Sequence, residues 1–297
     1  MTETRRPQIL VQLHGGLGNQ LFQAAAGLAL AERLGGRVGF DISRFRDKGL
    51  RGFALAALPT GAEVVAGGRP GLAARLLAKA EKLGGGAGIK RPAGFRGGIF
   101  VERQFHFDER FEAITGDTLI AGFFQSPRYF TPAEARIRAA FDAGGAMSPT
   151  ALRLGDGLDA AETVAVHIRR GDYAGDAKAR AVHGVLGDDY YERALALIRR
   201  AVPGARIKVF SDDAGVAGER AAAWGGEAVA GASALEDLWL MSRCRHHVIA
   251  NSSFSWWSAW LDRRADGLRI APRQWFARDK LIATYTGDLF PEGWILL

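Results

Sequence analysis

The sequence predicts an α/β protein built on parallel sheets and divided into two domains. Three observations predict it. Apolar, β-branched runs alternate with helical stretches, the order that yields parallel strands joined by crossover helices. In the second half each such run empties into a cluster of polar residues, where open α/β sheets bind their ligands. A chain of 297 residues also exceeds the usual size of one core. The stretch Gly144–Asp159, rich in Gly, Ser, Pro and Asp, is the boundary by composition, and the division drawn is 1–150 and 151–297.

In the first half, Ile9–Leu13 reads as a strand. The loop His14-Gly-Gly-Leu-Gly-Asn-Gln20 leads from it into a helix on which Leu21, Ala25, Leu28, Ala31 and Leu34 approximate one stripe, stopped by Gly35-Gly36. Strand, glycine loop and helix make a βα unit whose first N–H groups lack intrahelical partners and face the loop. The spacing Gly15-Gly16-x-Gly18 departs from the dinucleotide fingerprint G-x-G-x-x-G, so the glycines alone specify no ligand. Val38–Phe40, ended by Asp41, continues the alternation. From Asp47 to Gly98 the composition thins to Ala, Gly, Leu and Arg; Leu72–Leu83 there is an amphipathic helix candidate with no evident chemistry. Phe100–Phe107 and Thr118–Phe124 read as strands, and Thr131-Pro-Ala-Glu134 as the start of a helix that runs to about Phe141.

The second half carries the polar clusters. Val164-Ala-Val-His-Ile168 is a buried strand that delivers His167, Arg169, Arg170 and Asp172, broken by Gly171. An apolar strand ending in two guanidiniums is expensive unless an anion meets them. The plainer alternative is a pair of arginines bridging surface carboxylates. A helix capped by Asp188 or Asp189 follows, then the strand Ile207–Phe210 with Ser211, Asp212 and Asp213 at its end. A helix from about Ser233 to Arg243 precedes the strand His247–Ala250, which empties into Asn251, Ser252 and Ser253 at the head of Phe254-Ser-Trp-Trp-Ser-Ala-Trp-Leu261. Leu268–Ala271, stopped by Pro272, is the last clear strand. In a parallel sheet the three clusters share one edge and form an anion site, with guanidiniums forking onto a diphosphate and serine hydroxyls and helix N–H groups completing a cradle. The serines alone would also serve as helix caps, and Trp256, Trp257 and Trp260 read as core before stacking platforms.

Composition narrows the classes. The net charge is +7 and the pI about 9.8, which suits phosphate-bearing ligands or an anionic membrane surface. No basic run or nucleic-acid-binding motif accompanies it, so nucleic acid is not an expected partner. No apolar run reaches the roughly 18 residues of a membrane span, and the N-terminus lacks the pattern of a signal peptide. The expectation is a cytoplasmic protein without a transmembrane segment, with peripheral association at the inner face of the membrane compatible with its charge. One cysteine, Cys244, excludes an internal disulfide and a cysteine-based metal cluster. Asp212-Asp213 invites a metal, but no Asp-x-Asp occurs, and adjacent His246 and His247 point to opposite faces of a strand. No metal is therefore expected. His14, His106 and His183 have no partner visible in sequence.

Four blocks together resemble the signature of the α-1,2-fucosyltransferase family: Gly15-Gly-Leu-Gly-Asn-Gln-Leu-Phe-Gln23, His167-Ile-Arg-Arg-Gly-Asp-Tyr173, Phe210-Ser-Asp-Asp213 and Asn251-Ser-Ser-Phe-Ser-Trp-Trp-Ser-Ala-Trp-Leu261. They occur in that family's order. The resemblance implies a GT-B glycosyltransferase with two Rossmann-like domains facing a central cleft. The second domain would hold GDP-β-L-fucose and the first would form the side of a galactose-containing glycan acceptor, with a last helix packing back on the first. It implies inversion at the anomeric carbon, no metal and no cofactor, GDP-fucose being a substrate.

More distant similarity to α-1,6- and protein O-fucosyltransferases implies residue roles. Arg169 would grip the β-phosphate with Arg170 beside it, and His167 would lie near the nucleotide. Asp237 would receive guanine N–H groups, and the Ser253 hydroxyl would meet the β-phosphate. Gly16, Gly18, Ser211, Asp212, Asn251, Ser252 and Phe254 complete the expected donor site. Asn19 would lie at the reacting sugar. The catalytic glutamate of the α-1,6 enzymes falls on Ala177 here, which leaves the general base open. Asp172 is the first candidate, with orienting Arg169 as its alternative role, and His183 is the second. Without a protein base, a loosely bonded sugar cation and the Asn19 side chain must suffice.

Overall fold

The structure, a computed structural model, describes residues 5–45, 52–65, 92, 94–170, 184–277 and 284–297. It divides into two compact units, Met1–Phe141 and Asp142–Leu297. Each is α/β with an all-parallel sheet, the pair of Rossmann-like units expected from the sequence.

In the first unit the strands β1 (Gln8–Gln12), β2 (Arg37–Asp41), β3 (Glu63–Val65), β4 (Gly98–Val101) and β5 (Thr118–Ala121) lie in the order β3-β2-β1-β5-β4. Ile9 sits between Val38 on one side and Thr118 on the other. Helix α1 (Leu17–Arg33) follows β1 and is buried from Leu17 through Ala31 except at Asn19. A Cβ on Gly27 would lie 2.2 Å from Val11 Cγ2, so this glycine lets α1 rest directly on the strand. Gly35, at φ +60°, turns the chain out of the helix.

Two strands end earlier than their apolar runs. Phe100–Phe107 forms a strand only to Val101, because Asp108 caps a tight turn at Glu109–Phe111 that folds Phe107 onto Tyr129. Thr118–Phe124 stops at Ala121, because Phe124 adopts a left-handed backbone with φ 54°. The helix read from Thr131 begins as a 3-10 turn at Thr131–Ala133, and α2 occupies Glu134–Ala140. The Thr131 hydroxyl bonds back to the Pro127 carbonyl instead of capping that helix. The helix read at Leu72–Leu83 lies outside the described residues.

The second unit orders β6 (Thr163–Ile168), β7 (Arg206–Ser211), β8 (Glu227–Ala228), β9 (His246–Val248), β10 (Arg269–Ala271) and β11 (Ile295–Leu296) as β11-β10-β9-β6-β7-β8. Every residue of β6 is buried, because Val164, Val166 and Ile168 face Tyr191, Leu195 and Ile198 while Ala165 faces Phe210, Leu240 and Met241. Cover on both faces is why this strand reads as continuously apolar. The helices are α3 (Pro149–Asp159), α4 (Asp188–Ala201), α5 (Ala214–Trp224), α6 (Ala234–Arg243) and α7 (Ser253–Leu261).

The stretch Gly144–Asp159 is not a linker throughout. Ser148 accepts the Ala151 N–H as N-cap, Pro149 opens α3, and the units part earlier, between Phe141 and Asp142. Gly155 faces Trp239 of α6: a Cβ there would lie 2.3 Å from the indole. Gly155→Ala is therefore expected to lose about 1–3 kcal/mol, the range of overpacked cores, seen as a lower urea midpoint at unchanged slope. The cap of α4 is Gly187, and Asp188 and Asp189 sit in its first turn, where they complement the helix dipole. No helix follows α7 among the described residues. The chain end instead adds β11 beside β10, with Leu297 N–H on Ala271 O at 3.0 Å. Trp256 and Trp257 are fully buried and Trp260 nearly so, as core residues.

Candidate active site

A parallel sheet sends all its strand ends to one edge, and β9, β6 and β7 are neighbours there. This brings together the three clusters read from the sequence. Beyond β6, Arg169 Nη1 meets Asp212 Oδ2 at 3.0 Å, and the backbone N–H of Arg170 donates to Asp212 Oδ1 at 2.9 Å. Asp212, at the end of β7, thus ties two strand ends and fixes the Arg169 guanidinium. Of the two readings of the arginines, the pairing with a carboxylate is seen directly, between Arg169 and Asp212. Arg170 Nη2 stands 3.9 Å from Asp188, which also holds Arg220 at 2.9 Å.

The two aspartates after β7 divide their work. Asp213 caps α5 by accepting the Val216 N–H at 3.1 Å, and its own N–H donates to the Ser211 hydroxyl. Asp212 alone faces the arginines. His167 is buried with its ring 5.6 Å from that of Phe254. Burial, then the charge of Arg169, pulls its pKa down to about 3, so the imidazole is neutral. Its Nδ1 has no hydrogen-bond partner among the described residues. Such a buried nitrogen suits a neutral hydrogen-bond contact with a ligand and not an ionic one.

Helix α7 opens at this edge. Ser252 is its N-cap, yet its side chain makes no capping bond, and Ser253 and Phe254 are the first helical residues. The start of α7, the positive end of its dipole, thus lies at this edge, a place in a fold where anions are commonly bound. Buried Asn251 is anchored on the Trp275 carbonyl at 3.3 Å. Asp237, in the first turn of α6, accepts the Gly231 N–H at 2.5 Å. Burial raises its pKa above the usual carboxylate value, opposed by the Gly231 bond and assisted by Glu236. It is a half-buried acceptor at the same edge, because α6 starts there before crossing back to β9.

In the first unit the ligand edge holds the loop between β1 and α1. Gly15 takes φ +79°, and a Cβ there would stand 2.8 Å from Asn19 Nδ2. Gly16 is the N-cap of α1, and Gly18 is buried in its first turn. Asn19 Oδ1 accepts from Gln125 Nε2 at 2.9 Å. Gln23 Oε1 accepts the His14 N–H at 2.9 Å, and its amide donates to Gly122 O at 3.1 Å. Burial, then Arg44, draws the His14 imidazole down to about pH 4, and its ring meets Phe123 edge-on at 4.8 Å.

Sequence reasoning missed Glu102, Phe123 and Gln125. They follow β4 and β5, so the strand-end rule applied to the first half would have found them. Asp172 and His183, the proton-transfer candidates, lie outside the described residues. Among the described residues no group of three or more His, Cys, Asp or Glu is placed to hold a metal ion. No described helix is long and apolar enough to cross a membrane.

Known proteins resemble the chain as follows. An α-1,2-colitosyltransferase of Escherichia coli is 29% identical across 97% of this chain and 98% of its own length. The O-antigen biosynthesis glycosyltransferase WbnK of Escherichia coli is 43% identical over 141 residues, 46% of this chain and 45% of that protein. Among solved structures, the fucosyltransferase NodZ from Bradyrhizobium overlays 86% of this chain and 93% of its own at 15% identity and a TM-score of 0.47. The profile of glycosyl transferase family 11 matches residues 117–297, a span that includes the whole polar edge of the second sheet. The chain is a glycosyltransferase and belongs to glycosyl transferase family 11.

Proposed function

We propose that the protein transfers L-fucose from GDP-β-L-fucose to a galactoside hydroxyl, with inversion, to form an α-1,2 linkage. The observation that carries this reading is the edge where Arg169, fixed by Asp212, stands with the uncapped start of α7. Cleavage of the donor leaves charge on the β-phosphate oxygen. A fixed guanidinium and oriented N–H groups stabilise that charge more as it develops than before the bond breaks. Arg170 and the Ser253 hydroxyl add donors to the diphosphate, and neutral His167, backed by Phe254, contacts the nucleotide. Asp237 receives the guanine N–H groups, a role its raised pKa and half-buried carboxylate suit.

The first unit supplies the acceptor side, with Asn19 acting on the reacting sugar. Inversion requires one displacement, in which the acceptor oxygen attacks as the diphosphate leaves. Asp172 takes the acceptor proton or orients Arg169, and His183 is the other candidate for that proton.

A second reading concerns the sugar. The relative that matches over nearly the whole chain is named for colitose, which is 3-deoxy-L-fucose. A site for this donor differs from a fucose site only in lacking a partner for one hydroxyl. Purified protein offered GDP-fucose, GDP-colitose and GDP-mannose, with and without β-galactosides and with EDTA throughout, separates the readings. Transfer from GDP-fucose at least tenfold above GDP-colitose in kcat/KM supports the first, and the reverse order supports the second. Nucleotide binding with neither transfer nor donor hydrolysis overturns both and leaves a non-catalytic binding protein.

A further inference from the structure

We infer that Glu102 is a positioning residue for glycosyl transfer: it fixes the turn Gly122–Gln125 so that Gln125 aims the Asn19 side-chain amide at the reacting sugar. The inference rests on the role proposed above for Asn19 and extends it to residues that none of the sequence blocks contain.

The chain of contacts is continuous within the first unit. Glu102 leaves the end of β4, and its Oε2 accepts the N–H groups of Phe123 at 2.7 Å and Phe124 at 3.0 Å. A side chain on Gly122 would strike Glu102, with an added Cβ 2.5 Å from Cβ of the glutamate. The carboxylate is therefore seated against the bare backbone of the turn. Phe124 then takes φ 54°, a conformation that a bulky aromatic residue rarely adopts. Its ring is fully buried and packs edge-on against Tyr129 at 5.1 Å, with Phe100 and Phe111 beside it. Ring burial and the two hydrogen bonds hold the backbone there.

The reversal has one chemical product. Gln125 donates its side-chain amide to Asn19 Oδ1, in the first turn of α1. An amide whose oxygen accepts from Gln125 turns its Nδ2 donor the other way, against Gly15 of the glycine loop. Gln125 thus fixes the oxygen end of the Asn19 amide, and the place of Gln125 is set by a turn that Glu102 holds. Residues kept in sparsely populated backbone regions by surrounding contacts concentrate at sites where geometry must be exact to a fraction of an ångström.

Glu102 also responds to pH. Burial pushes it up to about 7, against the Phe124 and Phe123 N–H groups and Tyr129, while the charge of Asp108 adds to the rise. The groups facing it are Tyr129, whose hydroxyl accepts the Asp108 N–H at 2.9 Å, and Asp108, which is neutralised by Arg110. The ionised carboxylate is the stronger acceptor for two N–H donors. The two N–H bonds to Glu102 are therefore strongest above about pH 7 and weaken as Glu102 takes up a proton, although burial makes the neutral carboxyl the less costly form for the fold as a whole.

The test is Glu102→Gln with Gln125→Ala beside it. In Glu102→Gln, kcat for transfer is expected to fall by about 100-fold, with KM for the donor within about threefold, as for a misplaced reacting group. Wild-type kcat should fall as pH drops through about 7, and this limb should vanish in Glu102→Gln. The variant should melt no lower than wild type at pH 8, since it removes a buried charge. A merely structural glutamate would lower the melting temperature and leave the pH limb in place. Gln125→Ala keeps the glutamate and breaks only the last link, so it should show the same loss and, with the path to Asn19 cut, should lose the acid limb as well. Unchanged kcat in both variants overturns the proposal. If the wild type transfers from no donor, the function proposed above fails separately. The 15N resonance of the Asn19 side-chain amide then decides this point: it should shift in both variants, and an unmoved resonance overturns the coupling.

Discussion

Arg169→Lys is expected to lower kcat/KM for glycosyl transfer by about 10²–10³-fold, the usual loss for one oxyanion donor, while the protein folds normally. The geometry explains why so conservative a change should cost so much. Arg169 spends one amino group on Asp212, at 3.0 Å, and only a planar fork has further donors in fixed directions for a phosphate. An ammonium that keeps the Asp212 contact reaches the ligand as a mobile point charge. The side chain is largely buried, so water screens the lost interaction poorly. The loss should fall on kcat more than on donor KM, because the charge on the leaving phosphate grows only as the bond breaks. Steady-state kinetics with varied donor checks this. A variant within threefold of wild type in kcat/KM would show that the edge of the second sheet does not clamp the leaving group.

The second unit was legible because its signals are local and repeated. Each of β6, β7 and β9 is a short apolar run followed at once by polar residues, and parallel pairing needs no further information to bring those residues together. The division of labour between Asp212 and Asp213 was not legible. Which adjacent carboxylate caps α5 and which faces the arginines depends on where β7 ends relative to the helix axis. Gly144–Asp159 misled because glycine was counted as a breaker. Gly155 is there to admit the Trp239 ring, and the true signal was Ser148 followed by Pro149.

In the first unit the glycine loop was legible, and its supports were not. Glu102 sits in a run of phenylalanines that reads as strand, and nothing in the sequence marks Phe124 for a left-handed backbone. Such a conformation is ordinarily signalled by Gly or Asn. Here it is imposed by contacts with Glu102 and Phe100, both more than twenty residues away in sequence, together with nearby Tyr129. Long-range contact, and not local propensity, set that part of the site.

Asp262→Ala is expected to destabilise the protein by about 3–5 kcal/mol and, in the fraction that stays folded, to raise donor KM. Asp262 is buried just past the end of α7, where Oδ1 accepts from Arg264 Nε at 2.7 Å and Oδ2 from Arg269 Nη2 at 3.0 Å. Burial works against its charge, but His247 and Arg264 outweigh it, so its pKa lies below the ordinary carboxylate value. With the folded pKa below the unfolded one, the contribution is complete above about pH 4 and is lost only in stronger acid. The loss in Asp262→Ala should accordingly be equal at pH 5.5 and pH 8. Arg269 also donates to the carbonyls of Ala259 at 3.0 Å and Asp262 at 3.1 Å, covering the negative end of α7. On the function proposed above, the same helix would offer its positive end to the diphosphate. Removing the carboxylate leaves Arg269 without its buried counter-charge and frees it to leave those carbonyls, so the helix that carries Ser252 and Ser253 loses its anchor. Chemical denaturation at the two pH values, with donor KM measured below the transition, checks both halves. A change under 1 kcal/mol would mean that Trp256, Trp257 and Trp260 alone fix the helix, and that its N-terminal end owes nothing to the charges behind it.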